Sequence, residues 1–260
     1  MSRTVETSRL VKEWFRIAKL PHDTATKEFL DRCQSHTVKV DGKFYKYYQS
    51  GSGPTVLHVH GVRSNLGSMT AIAGDLLEQN YQVVLFDAPA HGEALGESTD
   101  PIEVRAVIRA IAERFPELHA VVGHSLGSLW SLSAWDHGLR AKAFVSISAP
   151  ATMRFLVDKM ADFFPIDSDQ LQELADQIEG RLGANVWTEF SPSEVVKAIE
   201  VPGLIIHGTN DDYVPPANAE DLHAHWRGST VELIDGADHF DIVRSPKARK
   251  LIATFLEEAK

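Results

Sequence analysis

Short apolar runs alternate with longer helical patterns from residue 55 to the C-terminus, and this alternation restricts the fold of the chain more than any other feature. The runs are rich in Val and Ile and are apolar on both faces, which is typical of parallel strands covered by helices on both sides. Repeated strand–helix units of this kind predict an α/β fold with a doubly wound, mostly parallel sheet. The runs are TVLHVHG at 55–61, QVVLFDAP at 82–89, HAVVGHS at 119–125, KAFVSISAP at 142–150, GLIIHGT at 203–209 and TVELIDG at 230–236.

Residues 36–51 precede these runs and follow a different pattern. Apolar and polar side chains alternate in HTVKVDGKFYKYYQSG, and the dipeptide Asp41-Gly42 lies in the middle of the segment. Asp-Gly between two alternating segments is typical of a tight hairpin turn. We therefore expect an antiparallel hairpin at the start of the sheet.

Three helices are predicted to begin at a polar residue followed by proline, namely Asp100, Ser191 and Ser245. In this arrangement the side-chain oxygen accepts a hydrogen bond from a free backbone N–H, and the proline lies where no N–H is needed. Glu103 and Glu194 follow the first two capping residues by three positions, which predicts capping boxes.

Residues 151–190, called here the cap segment, interrupt the strand–helix alternation. The segment has helical periodicity but no strand signal, and it lies between two predicted strands. It is much longer than the usual connection in an α/β fold. We therefore favour a small helical insertion over the C-terminal edge of the sheet, with an ordinary crossover helix and loop as the alternative. The core would then comprise residues 36–150 and 191–260.

Residues 1–35, the N-terminal segment, contain an apolar stripe at helical spacing. We expect a helix that docks on the core, because most apolar helix faces are buried in their own domain. A helix at a membrane surface and a homodimer contact are the alternatives. The stripe consists of Leu10, Val11, Trp14, Phe15 and Ala18.

The charge of the chain narrows the class of partner. The formal net charge is −10 and there is no long run of Lys and Arg, which disfavours nucleic acid and anionic membrane surfaces. No apolar run approaches the roughly 20 residues of a transmembrane helix, and the first residues lack a signal-peptide pattern. The single Cys33 cannot form an internal disulfide, which favours a reducing compartment. These features predict a cytoplasmic protein that acts on a small molecule.

The segment GHSLG at 123–127 places Ser125 between two glycines, directly after a predicted strand and before a predicted helix. Such a sharp turn forces the central residue into strained backbone geometry and holds its side chain clear of the sheet. Gly123 and Gly127 are needed because a Cβ atom at either position would collide with neighbouring chain. Ser125 is therefore the candidate nucleophile.

A serine hydroxyl is a poor nucleophile unless a base accepts its proton and an acid orients that base. Asp211 and His239 each follow one of the last two predicted strands. Because adjacent parallel strands end at the same edge of a sheet, we expect both side chains near Ser125. Asp212 is the alternative acid, whereas Asp238 is too close to His239 in sequence to orient its ring easily.

Five segments of the chain, spread over roughly residues 36–260, together resemble the α/β-hydrolase family. The resemblance implies a sheet of the α/β-hydrolase type in which Ser125 is the nucleophile, His239 the general base and Asp211 the acid. It also implies an oxyanion hole made by the backbone N–H groups of Val62 and Leu126. The segments are HVHGVRSN, FDAPAHG, GHSLG, HGTNDDYVP and GADHF.

The activity that this resemblance implies is hydrolysis of a carboxylic ester through an acyl-enzyme. Thioesterases, acyltransferases, perhydrolases and C–C bond hydrolases use the same side chains and stay as alternatives. A non-catalytic binding protein of this fold is the alternative from another class.

Neither a cofactor nor a metal is expected. The pairs His58/His60 and His223/His225 lack the further ligands that a metal site needs, and we expect His60 to brace the oxyanion loop instead. The loop DAPAHGEALGES departs from the family pattern at Ala90, where relatives often have glycine, and at Ala94, where they often have serine.

Apolar side chains of the cap segment suggest a ceiling over the site. The same residues would equally serve the packing of the cap segment itself, and we favour that interpretation for most of them. They are Phe155, Leu156, Met160, Phe163, Phe164 and Trp187.

Overall fold

The computed structural model describes residues 6–260 and contains a twisted sheet of eight strands within that range. Their order across the sheet is β1-β2-β4-β3-β5-β6-β7-β8, where β2 is antiparallel to both of its neighbours and all other pairs are parallel. This confirms the predicted doubly wound, mostly parallel α/β sheet. The strands are β1 Gln34–Val40, β2 Lys43–Ser50, β3 Thr55–Val59, β4 Gln82–Phe86, β5 Leu118–His124, β6 Ala141–Ile147, β7 Gly203–Gly208 and β8 Ser229–Ile234.

The predicted hairpin is confirmed by the pairing of β1 with β2. Its turn residues Asp41 and Gly42 have φ angles of 47° and 81°. Two successive positive φ angles are what a type I′ turn requires, and Asp-Gly is one of the sequences that adopts them readily.

Helices cover both faces of the sheet. Short 3-10 turns occur in addition at Leu66–Met69, Val196–Ala198 and Asp241–Arg244. No helix within residues 6–260 combines the length and apolar character needed to cross a membrane. The helices are α1 Thr7–Phe15, α2 Thr24–Leu30, α3 Thr70–Glu78, α4 Pro101–Ala112, α5 Leu126–Trp135, α6 Met153–Asp158, α7 Met160–Phe163, α8 Ser168–Leu182, α9 Val186–Glu189, α10 Pro192–Val195, α11 Ala217–His225 and α12 Pro246–Glu258.

Each face of the sheet has its own buried apolar cluster. Strand β5 lies between the clusters: Val121 belongs to one, together with Ile108 of α4, and Val122 belongs to the other, together with Ile252 of α12. All residues of β5 are buried. Burial on both faces is the reason that the parallel strands are uniformly apolar rather than alternating.

The predicted helix starts are only partly correct. Asp100 and Ser245 each accept a hydrogen bond from a backbone N–H three residues further on, as expected. The cap at Ser191 is wrong. Its hydroxyl donates to the carbonyl of Trp187 and accepts from the N–H of Met153, so it links α9 to α6 rather than capping α10.

The glutamates that were expected to complete capping boxes bind elsewhere. Glu103 accepts hydrogen bonds from Lys43 and Tyr45 of β2, which ties α4 to the edge of the sheet. Glu194 pairs with Lys197 one helical turn later. Both carboxylates find a side-chain donor nearby, and side-chain donors compete with the backbone N–H of the capping residue.

The cap segment is helical and contains α6, α7, α8 and α9. Helix α1 packs against α8. Leu10 of α1 is fully buried, and the guanidinium of Arg181 lies 3.9 Å from the centroid of the Phe15 ring. The hydroxyl of Thr7 donates to the Glu173 carboxylate at 2.5 Å. The chain itself thus buries Leu10 and Phe15 of the apolar stripe, whereas Val11 and Trp14 are half-buried and Ala18, beyond the end of α1, is exposed.

Residues 16–22, called here the strap, lead from α1 to α2 without helical structure. Near its start, Ile17 N–H donates to the Glu97 carbonyl at 2.9 Å in the loop after β4. Near its end, His22 Nε2 donates to Asp87 Oδ2 at 2.8 Å. The side chains of His22 and Asp87 are 1% and 6% exposed, so this ion pair is shielded from solvent.

Candidate active site

Ser125 lies at the turn between β5 and α5, with φ 53° and ψ −124°. This backbone conformation is rare for a residue that carries a Cβ atom. A Cβ on Gly123 would lie 2.6 Å from the Ser128 nitrogen, and a Cβ on Gly127 would lie 2.1 Å from the Val59 carbonyl oxygen. The strained turn and the requirement for both glycines are confirmed.

The structure brings Ser125, His239 and Asp211 together at the C-terminal edge of the sheet. Ser125 Oγ lies 3.0 Å from His239 Nε2, and His239 Nδ1 lies 2.7 Å from Asp211 Oδ2. All three residues are buried. Asp212 is exposed, and its backbone carbonyl accepts a hydrogen bond from Lys159 Nζ at 3.5 Å. The contact to His239 therefore comes from Asp211.

Four donors surround the Asp211 carboxylate. Oδ1 accepts from the N–H groups of Tyr213 at 3.0 Å and Val214 at 2.8 Å, and Oδ2 lies 2.7 Å from His239 Nδ1 and 3.4 Å from His207 Nε2. Burial acts to raise the pKa of Asp211, but these donors outweigh it and hold the pKa well below its usual value. The carboxylate stays ionised and is fixed in position beside His239.

His124 holds the backbone of His239 in place. Its Nε2 donates to the His239 backbone carbonyl at 2.8 Å. Burial lowers the pKa of His124 to about 3, so its ring stays neutral near pH 7. A neutral ring adds no positive charge beside His239.

His60 braces the loop that follows β3, as the sequence predicts. Its Nε2 accepts from the Ala88 N–H at 3.0 Å, which leaves Nδ1 to donate to the Gly61 carbonyl at 2.7 Å. Val62 follows Gly61 directly. The ring therefore fixes the backbone next to one of the two N–H groups expected in the oxyanion hole.

Val62 and Leu126 both line the cavity that contains Ser125 and His239. Leu126 is the first residue of α5, so its N–H has no acceptor within the helix. The two residues that the sequence selected for their backbone donors thus lie at the cavity of the candidate nucleophile.

The cavity above Ser125 has a volume of about 570 Å³. The sequence favoured packing within the cap segment for most of its six apolar residues, but five of them line the cavity, namely Phe155, Leu156, Met160, Phe163 and Phe164. Trp187 does not: its indole Nε1 donates to the Glu179 carboxylate at 2.6 Å.

Sequence reasoning missed one wall of the cavity. Trp14, Phe15, Ile17 and Ala18, at the junction of α1 and the strap, line it too. Trp14, Phe15 and Ala18 belong to the predicted apolar stripe, whose spacing does not indicate what the stripe contacts, and Ile17 lies outside that stripe. Within residues 6–260, no group of three or more His, Cys, Asp or Glu side chains is arranged to hold a metal ion.

The chain is similar in sequence to proteins from other organisms. YfhR of Salmonella typhi is 26% identical over 197 residues, which are 72% of this chain and 64% of that protein, so the chain spans less than two thirds of this relative. A pimeloyl-[acyl-carrier protein] methyl ester esterase of Neisseria meningitidis is 26% identical over 201 residues, 63% of this chain and 78% of the esterase.

Among solved structures, an esterase from Exiguobacterium antarcticum superposes with a TM-score of 0.66 at 18% identity, and the match covers 86% of this chain and all of that chain. At this identity the likeness concerns the fold. The family model described as "Alpha/beta hydrolase family" matches residues 56–249, which include Ser125, Asp211 and His239. Since this match covers most of the sequence, the chain belongs to the alpha/beta hydrolase family.

Proposed function

We propose that the protein is a serine hydrolase that cleaves a carboxylic ester through an acyl-enzyme. The observation that carries this proposal is the hydrogen-bonded series from Ser125 Oγ to His239 to Asp211, with contacts of 3.0 and 2.7 Å. The methyl ester esterase among the relatives is consistent with an ester as substrate. The cap segment, residues 151–190, would be an insertion over the core. The N-terminal segment, residues 1–35, would dock on the core through residues 6–35, and residues 1–5 lie outside the described part of the chain.

In the first half of the reaction, Ser125 Oγ attacks the ester carbonyl carbon while His239 Nε2 takes the serine proton. Asp211 keeps the proton on His239 Nδ1 and stabilises the imidazolium that forms. The tetrahedral intermediate collapses, the alcohol leaves with the proton from Nε2, and the acyl group stays on Ser125.

In the second half, a water molecule gives its proton to His239 Nε2 and attacks the acyl carbon. The intermediate releases the carboxylic acid, and Ser125 Oγ regains its proton from His239. In both halves, the N–H groups of Val62 and Leu126 would stabilise the negative carbonyl oxygen. Such preorganised donors are typically worth about 10²–10³-fold in rate each.

The test of this function replaces the nucleophile. Ser125→Ala is expected to abolish hydrolysis of an activated aryl ester while leaving the circular dichroism spectrum unchanged, because alanine adds no bulk at the strained turn. Ser128→Ala is a matched control, since it removes a buried hydroxyl in the helix that follows Ser125, and this hydroxyl has no hydrogen-bond partner within residues 6–260. Near-native turnover by Ser125→Ala would refute the nucleophile.

A further inference from the structure

The cavity above Ser125 extends beyond the part of the chain that the family model matches. The match covers residues 56–249, whereas Trp14, Phe15, Ile17 and Ala18 form one wall of the cavity. These four residues, called here the N-terminal wall, lie in the N-terminal segment and precede the matched range. A ligand of Ser125 that fills the cavity must therefore meet side chains outside residues 56–249.

The cavity surface favours hydrocarbon. The N-terminal wall is apolar throughout, and the cap segment adds further aromatic and aliphatic side chains such as Leu156, Met160 and Phe164. An apolar surface of this kind gains free energy from each methylene that it removes from water. It also penalises a charged or strongly polar group that lacks a partner.

Two of the cations that line the cavity have ionic partners. Lys159 pairs with Asp162, and Arg16 lies 3.5 Å from Glu13. The guanidinium of Arg63 forms no ion pair within residues 6–260, but it is exposed to solvent and lies 5.3 Å from the centroid of an aromatic ring of the cap segment. Because Arg63 is exposed, its charge can be hydrated outside the apolar lining.

The N-terminal wall is held in place rather than left adaptable. The Phe15 carbonyl accepts from the Thr99 N–H at 3.0 Å, and the Ile17 N–H donates to the Glu97 carbonyl at 2.9 Å. Arg181 of α8 covers the outer face of the Phe15 ring. Because its backbone and the Phe15 ring are both held in place, the N-terminal wall limits the size of the ligand and does not move aside for a larger one.

We infer that the substrate carries an apolar acyl chain, and that the N-terminal wall sets the longest chain that the cavity accepts. This inference rests on the proposed function of Ser125. The acyl group stays bound to Ser125 after the alcohol leaves, so in this proposal it is the acyl group that lies against the apolar lining. The alcohol would leave past Phe163, Tyr213 and Phe240, which also line the cavity and are exposed.

The test measures the rate at which n-alkyl fluorophosphonates of increasing chain length label Ser125. In the unmodified protein the second-order labelling rate constant rises by up to about fourfold for each added methylene and then falls once the chain exceeds the cavity. Trp14→Ala enlarges the cavity and moves this maximum to longer chains. Ala18→Phe, at an exposed position, narrows the cavity and moves the maximum to shorter chains.

The matched control is Trp187→Ala, which removes a tryptophan of the cap segment that does not line the cavity and leaves the maximum in place. A labelling rate independent of chain length, or an unchanged maximum in both wall variants, contradicts the inference. So does an equal displacement in Trp187→Ala. If Trp14→Ala does not fold, Ala18→Phe decides alone. Failure of even the shortest probe to label the native protein contradicts the proposed function instead.

Discussion

At the scale of single residues, the candidate site depends on positions whose geometry is unfavourable in isolation. Ser125 has a positive φ, which costs about 1–3 kcal/mol for a residue other than glycine. Its N–H donates to the Ile147 carbonyl of β6 at 2.8 Å, and the helix that begins at Leu126 fixes its other side. The strain persists because the neighbouring strand and helix determine the path of the chain on both sides.

Variants of the adjacent residues Asp211 and Asp212 show which of the two carboxylates orients His239. Asp211→Asn is expected to lower kcat by about 10⁴-fold, because His239 loses both its orienting partner and its counter-charge. Asp212→Asn changes no contact of His239 and should keep kcat within about twofold, the range of an exposed substitution away from the site. Steady-state kinetics on one aryl ester checks both variants. Equal losses in the two would contradict the assignment made from spacing and from the 2.7 Å contact.

At the scale of elements, the strap is held at its far end by the buried pair of His22 and Asp87. The hydrogen bond to Asp87, with smaller contributions from the Asp87 and Glu93 charges, raises the pKa of His22 above its ordinary value of 6.5, whereas burial and Lys27 oppose this rise. The pKa of Asp87 is held below its ordinary value, with burial opposing and the contact to His22 lowering it. At neutral pH the pair thus has an ionised carboxylate and a histidine that binds its proton more tightly when folded.

A pH-dependent contribution to stability follows from His22. Because the pKa of the folded state is raised, the stabilisation is fully present below about pH 6.5 and is lost as the pH rises through the folded pKa. Asp87 stays ionised across this pH range, so its own titration does not change the direction of this pH dependence. We expect His22→Ala to lower the free energy of unfolding by about 2–3 kcal/mol in the acidic part of the window and by less in alkaline solution.

Urea unfolding of the native protein and of His22→Ala, at one pH below and one pH above this range, measures the difference in free energy of unfolding. His22→Gln is the control, since an amide can donate a hydrogen bond to Asp87 but carries no titrating charge. Its deficit relative to the native protein should shrink as the pH rises. A His22→Ala deficit that is constant or grows with pH would show that His22 does not titrate as described.

At the scale of the whole molecule, the sequence was sufficient for the sheet and for the residues at its edge, for identifiable reasons. Burial on both faces makes the parallel strands apolar and so visible in the sequence. The glycines beside Ser125 mark a turn that no larger residue fits, and the ends of adjacent parallel strands bring Asp211 and His239 to that turn.

Contacts between distant segments were less predictable. The Ser191 cap was wrong because the Ser191 hydroxyl bonds backbone groups of Trp187 and Met153 instead of the first turn of its own helix. The N-terminal wall was missed because the spacing of an apolar stripe does not show which part of the fold the stripe meets. A cytoplasmic location and a homodimer stay predictions from the sequence.

Mapping the covalent intermediate tests whether Ser125 is the residue that carries the acyl group. The native protein is incubated with an activated ester, quenched in acid within the turnover time, digested and analysed by mass spectrometry. We expect an acyl adduct on the peptide that contains Ser125, located at Ser125 by fragmentation and missing from Ser125→Ala. An adduct on another residue, or a Ser125→Ala protein that is acylated as fast as the native protein, would contradict this assignment.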